Sequence, residues 1–276
     1  MDEPGSAVSG DAGTLVVDEL SVEFGGLLAL NRVSMFAKRG EIVGLIGPNG
    51  AGKTTLFNVI SGFTRAKGGV VSYDGKVLGH HHPHDLNKLG IARTLQGIGL
   101  CRGLTVLENV MLGAQAQLRS DIGSALLGLW RSSKEERRLA VAARDLLEQF
   151  GIGDYEKRLP STLPYGIQKR TALARALIAE PSMLLLDEPA SGLSDHEMTD
   201  LVSLVRGLAG RMGILLVEHH MDLVTSVCDR IVVLNFGQVI ADGTPGEIRT
   251  NPEVATAYLG SDVKTPATRS TEPSDA

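Results

Sequence analysis

The chain has 276 residues, of which 43% are hydrophobic, and its formal net charge is −5 at pH 7. This is enough for one large domain with a substantial core. The acidic balance argues against a protein that attracts nucleic acid or anionic lipid through its overall charge. The two cysteines, Cys101 and Cys228, are far apart, which disfavours a disulfide framework and predicts two buried free thiols.

The two ends of the chain differ from its middle. Residues 1–13 and 261–276 are poor in large apolar side chains and rich in Ser, Thr, Pro, Asp and Gly, so we predict two disordered tails. The first tail lacks the basic start and apolar run of a signal peptide. No stretch approaches the ~20 apolar residues that span a bilayer. These features predict a cytoplasmic chain that reaches a membrane only through a partner.

Strand patterns alternate with helical patterns between these tails. Two short runs, 15–17 and 22–24, are predicted to be edge strands. Three apolar runs, 42–46, 183–186 and 214–217, are typical of strands buried on both faces. This alternation predicts an α/β fold in which helices cover a mostly parallel sheet.

The middle of the chain has a different pattern. From about 103 to 160 the sequence predicts helices and no strand. Apolar side chains recur there at helical spacing, at Leu139, Ala143, Leu146 and Phe150. Gly151 stands where such a helix would stop. We therefore predict a helical insert, at about 103–165, within a single domain of residues 14–260.

A phosphate-binding loop follows the first buried strand. The segment matching G-x-x-x-x-G-K-[ST] is Gly47-Pro48-Asn49-Gly50-Ala51-Gly52-Lys53-Thr54-Thr55. Its glycines let backbone N–H groups point at phosphate oxygens, and a helix that begins at Thr54 adds a partial positive charge. Lys53 is predicted to bridge the β- and γ-phosphates, and the Thr54 hydroxyl to hold Mg²⁺. The order of strand, loop and helix disfavours an accidental glycine-rich turn.

Two carboxylates end the second buried strand. Asp187 and Glu188 follow the apolar run directly. Alone, such a pair is often a solvated loop, but after a phosphate-binding loop it is the expected partner. Asp187 is predicted to bind Mg²⁺, directly or through water, and Glu188 to accept a proton from the attacking water.

With these motifs the chain resembles the ATP-binding subunit of an ABC transporter over roughly residues 14–260. Gln96 stands where that family has its Q-loop glutamine, which senses Mg²⁺ and the water and connects to the membrane subunit. His219 matches the switch histidine that contacts the γ-phosphate, and Phe24 matches the aromatic on which adenine stacks. Residues 191–194 resemble the D-loop, with Ser194 in place of the frequent aspartate or asparagine.

The resemblance implies a fold and an activity. The fold is a P-loop NTPase core with a mostly parallel sheet, a small antiparallel β-region on the N-terminal side and an α-helical insert subdomain. The activity is ATP hydrolysis coupled to transmembrane transport, with ATP and Mg²⁺ as cofactors. Two ATP molecules are expected in a sandwich between this chain and a second ATP-binding subunit, of the same or a different chain.

One motif departs from the family. Residues 163–168 read L-P-Y-G-I-Q where the family signature is usually L-S-G-G-Q, and L-S-Y-G-Q in branched-chain amino-acid members. Proline at 164 lacks the serine hydroxyl and its own N–H, although it suits the first turn of a helix. Tyr165 and the N–H of Gly166 remain to face the partner's nucleotide. We expect a site that is weakened but works, because a lost hydrogen bond to a charged group costs about 1.5–3 kcal/mol.

Several segments resemble the branch that takes up hydrophobic amino acids. These are residues 90–96, 243–248, 251–254 and 257–260, together with a long stretch at about 115–137 that follows the family's T-V-x-E-N segment at 104–110. The resemblance implies two transmembrane permease subunits as partners, an external substrate-binding protein, and a position on the cytoplasmic face of the membrane. Importers of urea or short amides resemble this branch nearly as well, so the substrate stays open.

Other classes of function receive less support. A soluble ABC-type ATPase that acts on ribosomes or DNA generally has two cassettes or long coiled coils, which this chain lacks. A non-hydrolysing regulatory module is disfavoured by Glu188 and His219, and an exporter subunit by the insert and the chain's end. The histidine run at 80–84 has poor ligand spacing, so we predict a flexible loop rather than a metal site.

Overall fold

The computed structural model describes residues 13–79, 81–94, 98–115 and 133–259. A small sheet near the N-terminus contains β1 (Leu15–Phe24), β2 (Leu27–Ala37), β4 (Gly68–Tyr73) and β5 (Lys76–Val77). Its strand order is β2-β1-β4-β5, and all three pairings are antiparallel. This is the antiparallel β-region that the family resemblance implied.

A larger sheet forms the centre of the molecule. Its strands are β3 (Ile42–Ile46), β6 (Ile91–Arg93), β7 (Met183–Asp187), β8 (Gly213–Val217), β9 (Arg230–Asn235) and β10 (Gln238–Gly243). The order is β10-β9-β3-β8-β7-β6, and every pairing is parallel except that of β10 with β9. Because the five parallel strands point the same way, their carboxyl ends share one edge of the sheet.

Helices connect the strands in the described part of the chain. They are α1 (Lys53–Ile60), α2 (Val106–Gln115), α3 (Ser133–Gln149), α4 (Tyr165–Leu177), α5 (Asp195–Ala209), α6 (Met221–Val227), α7 (Pro245–Thr250) and α8 (Pro252–Leu259). Short 3₁₀ segments lie at Pro83–Leu89, Gly153–Tyr155 and Pro160–Thr162. In the described parts of the predicted insert, 103–115 and 133–165, the structure has helices and no strand.

The central sheet separates two hydrophobic cores. Ile42 and Ile46 point into one core, with α2, α3 and α4, whereas Val43 and Leu45 point into the other, with α1 and the antiparallel sheet. All five residues of β3 are buried, and the same is true of β7 and β8. Burial on both faces explains why these strands appear in the sequence as continuous apolar runs, as predicted.

The prediction of two short edge strands at the N-terminus was wrong. The two runs are the ends of one ten-residue strand, β1, which lies between β2 and β4 rather than at an edge. Glu19 has a φ of +48°, and the pairings with both β2 and β4 shift register across it. This bulge places Asp18 and Glu19 together on the exposed side, and the polar pair interrupts the apolar alternation.

The insert is held together by the residues that form its helical pattern. Of the predicted pattern, Ala143 and Phe150 are buried, whereas Leu139 and Leu146 are half-buried against the same core, which also buries Leu147. Gly151 ends the helix with a φ of +64°. At the start of α2, Thr105 and Glu108 form a capping box, in which the Thr105 N–H donates to Glu108 Oε2 at 2.7 Å.

The two cysteines differ in exposure. Cys228 is buried as predicted, but Cys101 is exposed, because it lies in the loop before α2 rather than in either core.

Within the described ranges, no helix combines the length and the apolar character that crossing a membrane requires.

Candidate nucleotide-binding site

The phosphate-binding loop joins β3 to α1 at the carboxyl edge of the sheet. Gly47, Gly50 and Gly52 have φ values of +150°, +81° and +104°, which side-chain-bearing residues rarely adopt. A Cβ at Gly47 would lie 2.1 Å from the carbonyl oxygen of Leu234. The loop is therefore specified by glycine at these points, and α1 begins at Lys53, one residue before the predicted start.

Lys53 lies inside the curl of this loop. Its Nζ donates hydrogen bonds to the carbonyl oxygens of Gly47 at 2.6 Å and Pro48 at 2.9 Å. Burial lowers the pKa of the Lys53 ammonium, and the nearby charge of Glu188 opposes that shift. A cation is thus held by the carbonyl oxygens of the loop, where the β- and γ-phosphates are expected. The next side chain, Thr54, is exposed.

Asp187 ends β7 beside Val217 of β8 and is 7% exposed. Its Oδ2 accepts a hydrogen bond from Arg93 Nη2 at 2.9 Å. Arg93 ends the neighbouring strand β6, and its guanidinium also lies over the rings of Phe57 and Phe63, with centroid distances of 4.8 and 5.1 Å.

Arg93 was not among the predicted site residues. A signal for it existed, because adjacent parallel strands end at the same edge, and both β6 and β7 end in a charged residue. The sequence did not reveal that β6, a strand of three residues, neighbours β7.

Glu188 follows β7 in a strained conformation. Its φ is +46°, which is uncommon for a residue other than glycine and is typical of functional sites. The Glu188 N–H donates to the Val217 carbonyl oxygen at 2.9 Å, and the Glu188 carbonyl oxygen accepts from Lys169 Nζ at 3.2 Å. These bonds fix the backbone on both sides of the carboxylate and leave the side chain half-buried.

His219 follows β8, the strand that separates β3 from β7. Its side chain is 50% exposed, and its ring packs on His220 at a centroid distance of 4.1 Å. The preceding Glu218 is fully buried, and its Oε2 accepts from the N–H of His219 at 3.1 Å. The structure therefore brings Lys53, Glu188 and the histidine segment to one edge of the sheet.

The signature-like segment begins α4. Pro164 is the N-cap residue, with φ −52° and ψ 151°, so the expectation that it occupies the first helical turn was wrong. Its ring satisfies the φ of this position, but it offers no side-chain acceptor to the first N–H groups of the helix. Tyr165 is 42% exposed and Gly166 is buried. A Cβ at Gly166 would lie 2.1 Å from Glu197 Oε1, so a larger residue there would displace the Glu197 side chain.

The D-loop-like segment lies against this helix start. A Cβ at Gly192 would lie 3.1 Å from the ring of Tyr165. Ser194, the departure from the family pattern, caps α5: its Oγ accepts from the Glu197 N–H at 3.4 Å, and the Glu197 carboxylate accepts from the Ser194 N–H at 2.9 Å. Serine therefore supplies the helix-capping chemistry that aspartate or asparagine would supply.

Two predicted site residues remain, Phe24 and Gln96. Phe24 is 52% exposed at the end of β1, before a turn in which Gly25 and Gly26 have positive φ. This exposed ring is free to stack on a base. Gln96 lies outside the described residues, so its role stays a prediction.

The histidine run overlaps the start of a short 3₁₀ helix. His82 precedes a 3₁₀ helix and forms a capping box with Asp85, and the rings of His82 and His84 stack at 5.4 Å. The described part of the run therefore leads into a short helical turn, and its predicted flexibility stays a prediction. His80 lies outside the described residues. In the part of the chain that the structure covers, the group spaced for a metal ion is Glu218, His219 and His220 instead.

The donor set fits ATP with Mg²⁺. The Thr54 hydroxyl and the Asp187 carboxylate are hard oxygen ligands of the kind Mg²⁺ prefers, and they flank the loop that Lys53 occupies. The phosphate-binding loop also contacts α8, through a hydrogen bond from the Gly47 N–H to the Tyr258 phenol. Burial raises the pKa of this phenol, and the hydrogen bond opposes that shift.

The class of protein follows from this fold and site. A phosphate-binding loop and an acidic strand end meet on a parallel sheet that carries a helical insert and an antiparallel β-region. The family model described as ABC transporter matches residues 30–191. A second model, described as branched-chain amino acid ATP-binding cassette transporter, matches residues 238–264. The chain belongs to the ABC transporter family, and within it is an ATP-binding subunit that hydrolyses ATP.

Similar proteins are known from sequence and from structure. The high-affinity branched-chain amino acid transport ATP-binding protein LivG of Salmonella typhimurium is 41% identical over 248 residues, which cover 89% of this chain and 97% of that protein. BraF of Pseudomonas aeruginosa, described in the same words, is 39% identical over the same shares. The crystal structure of the ADP conformation of MJ1267, an ATP-binding cassette of an ABC transporter, has a TM-score of 0.79 and 31% identity, over 91% of this chain and 100% of that one.

Proposed function

We propose that this chain powers an importer of branched-chain or other hydrophobic amino acids. The observation that carries the ATPase part is that the loop holding Lys53 and the strand end holding Asp187 and Glu188 lie at the same carboxyl edge of the sheet, where the charge of Glu188 acts on Lys53. The substrate class is supported by the relatives named for branched-chain amino acid transport. It is supported also by the family model that covers β10, α7 and α8.

Binding of the nucleotide follows from the loop and the exposed aromatic. Lys53 would exchange its two carbonyl acceptors for the β- and γ-phosphates, which are stronger, charged partners. Phe24 would stack on adenine. Thr54, Asp187 and Gln96 would hold Mg²⁺, which neutralises charge on the phosphates. The remaining loop residues, Pro48, Asn49, Ala51 and Thr55, would surround the phosphate chain.

Hydrolysis is assigned to three side chains. Glu188 would accept a proton from the attacking water, because its fixed backbone presents the carboxylate at the edge where the γ-phosphate is expected. His219 would contact the γ-phosphate from the end of the adjacent strand. Gln96 would sense the metal and the water.

A second ATP-binding subunit would complete the site. Tyr165 and Gly166 of one subunit would face the nucleotide bound by the other, through the start of α4. The thirteen residues of α4 place the positive end of a helix dipole there. Closing the sandwich would move the attached membrane subunits, and hydrolysis would reopen it.

The membrane partners follow from the same assignment. Two permease subunits would receive this chain on the cytoplasmic face of the membrane, near Gln96 and the helical insert. A substrate-binding protein outside the membrane would deliver the amino acid. The partner in the ATP sandwich would be either a second copy or a different ATP-binding chain.

Two alternatives differ in substrate or in class. An importer of urea or short amides would use the same ATPase chemistry, because this subunit does not contact the substrate. A soluble ATPase acting on ribosomes or DNA would keep the nucleotide site but have no permease. We favour amino-acid import, since the relatives with 39–41% identity carry that name.

The test is purification of this chain from gently solubilised native membranes, followed by reconstitution of the complex in liposomes. We expect two polytopic permeases to co-purify, and the liposomes to take up radiolabelled leucine only with ATP. Uptake of urea but not leucine would replace the substrate assignment. Recovery only from the soluble fraction, with ribosomal or DNA-binding proteins, would refute transport.

A further inference from the structure

A buried carboxylate joins two loops of the nucleotide site. Glu218 is fully buried at the end of β8. Its Oε1 accepts from the Ala190 N–H at 2.8 Å. Its Oε2 accepts from the His219 N–H at 3.1 Å and from His220 Nδ1 at 3.0 Å. Because a carboxylate oxygen accepts, Nδ1 of His220 carries the proton in this arrangement.

These partners belong to segments with different proposed roles. Ala190 lies two residues after Glu188, whose own N–H is bound to Val217. His219 makes its bond to Glu218 through the backbone; its Nδ1 lies 3.7 Å from Glu218 Oε2, and its ring packs against His220 at a tilt of 37°. The carboxylate therefore fixes the segment after Glu188, the backbone of His219 and the ring against which His219 packs.

A cation compensates the buried charge. Lys169, on the helix that begins with the signature-like segment, donates from Nζ to the carbonyl oxygens of Glu188 at 3.2 Å and Pro189 at 2.7 Å. Burial lowers the pKa of Lys169, and the charges of Glu218 and Glu188 oppose that shift. Glu218 thus has an opposite charge nearby, and that charge holds the same segment from the other side.

We propose that Glu218 is a positioning residue for ATP hydrolysis, which holds His219 at a fixed place relative to Glu188. A buried carboxylate that accepts hydrogen bonds from both loops restrains the two loops relative to each other. The inference rests on the roles proposed above for Glu188 and His219. It predicts an effect on the rate of hydrolysis rather than on the binding of ATP.

The test compares the purified full chain with the variants Glu218→Gln and Glu218→Asp. Glutamine keeps the size of the side chain but turns its amide N–H toward one of the N–H groups that donate to Glu218. Aspartate keeps the charge but is too short to reach both loops. We expect kcat to fall about 10- to 100-fold, as for the loss of charged hydrogen bonds, and KM for ATP to change less than about 3-fold. Folding is checked by thermal unfolding, and the aspartate variant serves if the glutamine variant does not fold.

The matched control is Asp229→Asn. Asp229 Oδ2 also holds a backbone N–H, that of Ile42 at 2.8 Å, but at the opposite end of the sheet. This variant is expected to keep kcat within about 2-fold. A Glu218 variant with native kcat, or with a raised KM and unchanged kcat, would overturn the proposal.

A double-mutant cycle with His219→Ala separates positioning from a general structural effect. In single turnover, Glu218→Gln added to His219→Ala should slow hydrolysis by no more than about 2-fold, because the two residues act as a unit. A full multiplicative loss would overturn the proposal. Glu188→Gln is measured alongside: if it hydrolyses ATP at the native rate, the proposed roles fail, whatever the Glu218 variants do.

Discussion

Arg93 and Asp187 form an ion pair with an N–O distance of 2.9 Å, and their side chains are only 9% and 3% exposed. Asp187 is the carboxylate expected to bind Mg²⁺. One of its oxygens is therefore already bound to an arginine on the neighbouring strand. Arg93 also bonds Asn58 Oδ1 on α1, at 3.1 Å, so a single guanidinium connects the phosphate-loop helix to the acidic strand end.

This ion pair predicts a large effect of Arg93→Gln on stability. Removing one partner of a buried pair leaves an uncompensated charge, which typically costs about 3–5 kcal/mol. We expect a loss of that size in the free energy of unfolding, measured by urea denaturation. The matched control is Arg32→Gln, because Arg32 and Glu19 form a solvent-exposed pair whose loss should change the free energy of unfolding far less. Equal costs for both variants would contradict the account.

Pro164→Ser should tighten the ATP sandwich. A serine at the N-cap of α4 adds an acceptor for the first N–H groups of the helix and a hydroxyl for the partner's nucleotide. In a Glu188→Gln background, which slows hydrolysis, we expect ATP-driven dimerisation to strengthen about 10-fold or more. The measurement is light scattering with and without Mg²⁺ and ATP. If the Glu188→Gln chain with Pro164 stays monomeric in the presence of ATP, and dimerises only after Pro164→Ser, the native signature is defective rather than weakened.

Asn109 should stabilise the helical insert. It is fully buried, its Oδ1 accepts from the Cys101 N–H at 2.8 Å, and its Nδ2 donates to Leu104 and Thr105 at 3.0 and 2.9 Å. Asn109→Ala leaves these backbone groups without a partner, so we expect a loss of about 1–3 kcal/mol in the free energy of unfolding. Ser203→Ala, which removes an exposed helix hydroxyl, should change it by no more than about 0.5 kcal/mol. A silent Asn109→Ala would contradict this role.

The two cysteines should differ in reactivity. Burial raises the pKa of Cys228 to about 12, whereas Cys101 is exposed. At pH 8 we expect iodoacetamide to modify Cys101 alone, and Cys228 only after unfolding, as measured by mass spectrometry of peptides. A free thiol in the unfolded chain ionises near pH 8.5, so the stability provided by this burial is lost as pH rises from there toward 12. Rapid labelling of Cys228 in the folded chain would refute the prediction.

Local patterns predicted the parts of the fold and site that depend on neighbours in sequence. The phosphate loop is specified by glycines within six residues of each other, and the buried strands by short apolar runs. The Asp187-Glu188 pair follows such a run directly. For these elements the residues that decide the structure are adjacent in the chain.

Contacts between distant segments were not predicted. The pairing of Arg93 with Asp187 depends on the position of β6 beside β7, and the bonds of Glu218 depend on a turn in another loop. At the Glu19 bulge, two polar residues interrupt the apolar alternation of β1, so the sequence pattern predicted two strands instead of one. Cys101 was placed wrongly, since exposure in a loop is set by the packing of the segments around it.

Glu188 is the proposed catalytic base for ATP hydrolysis in a membrane transporter. The most direct measurement is ATP hydrolysis by the complex purified from membranes through this chain, carrying either Glu188 or Glu188→Gln. We predict that the substitution removes at least about half of the activity, and nearly all of it if both nucleotide-binding subunits are copies of this chain. ATP should still bind, because Lys53 and the loop are unchanged. A Glu188→Gln complex that hydrolyses ATP at the native rate would contradict the account.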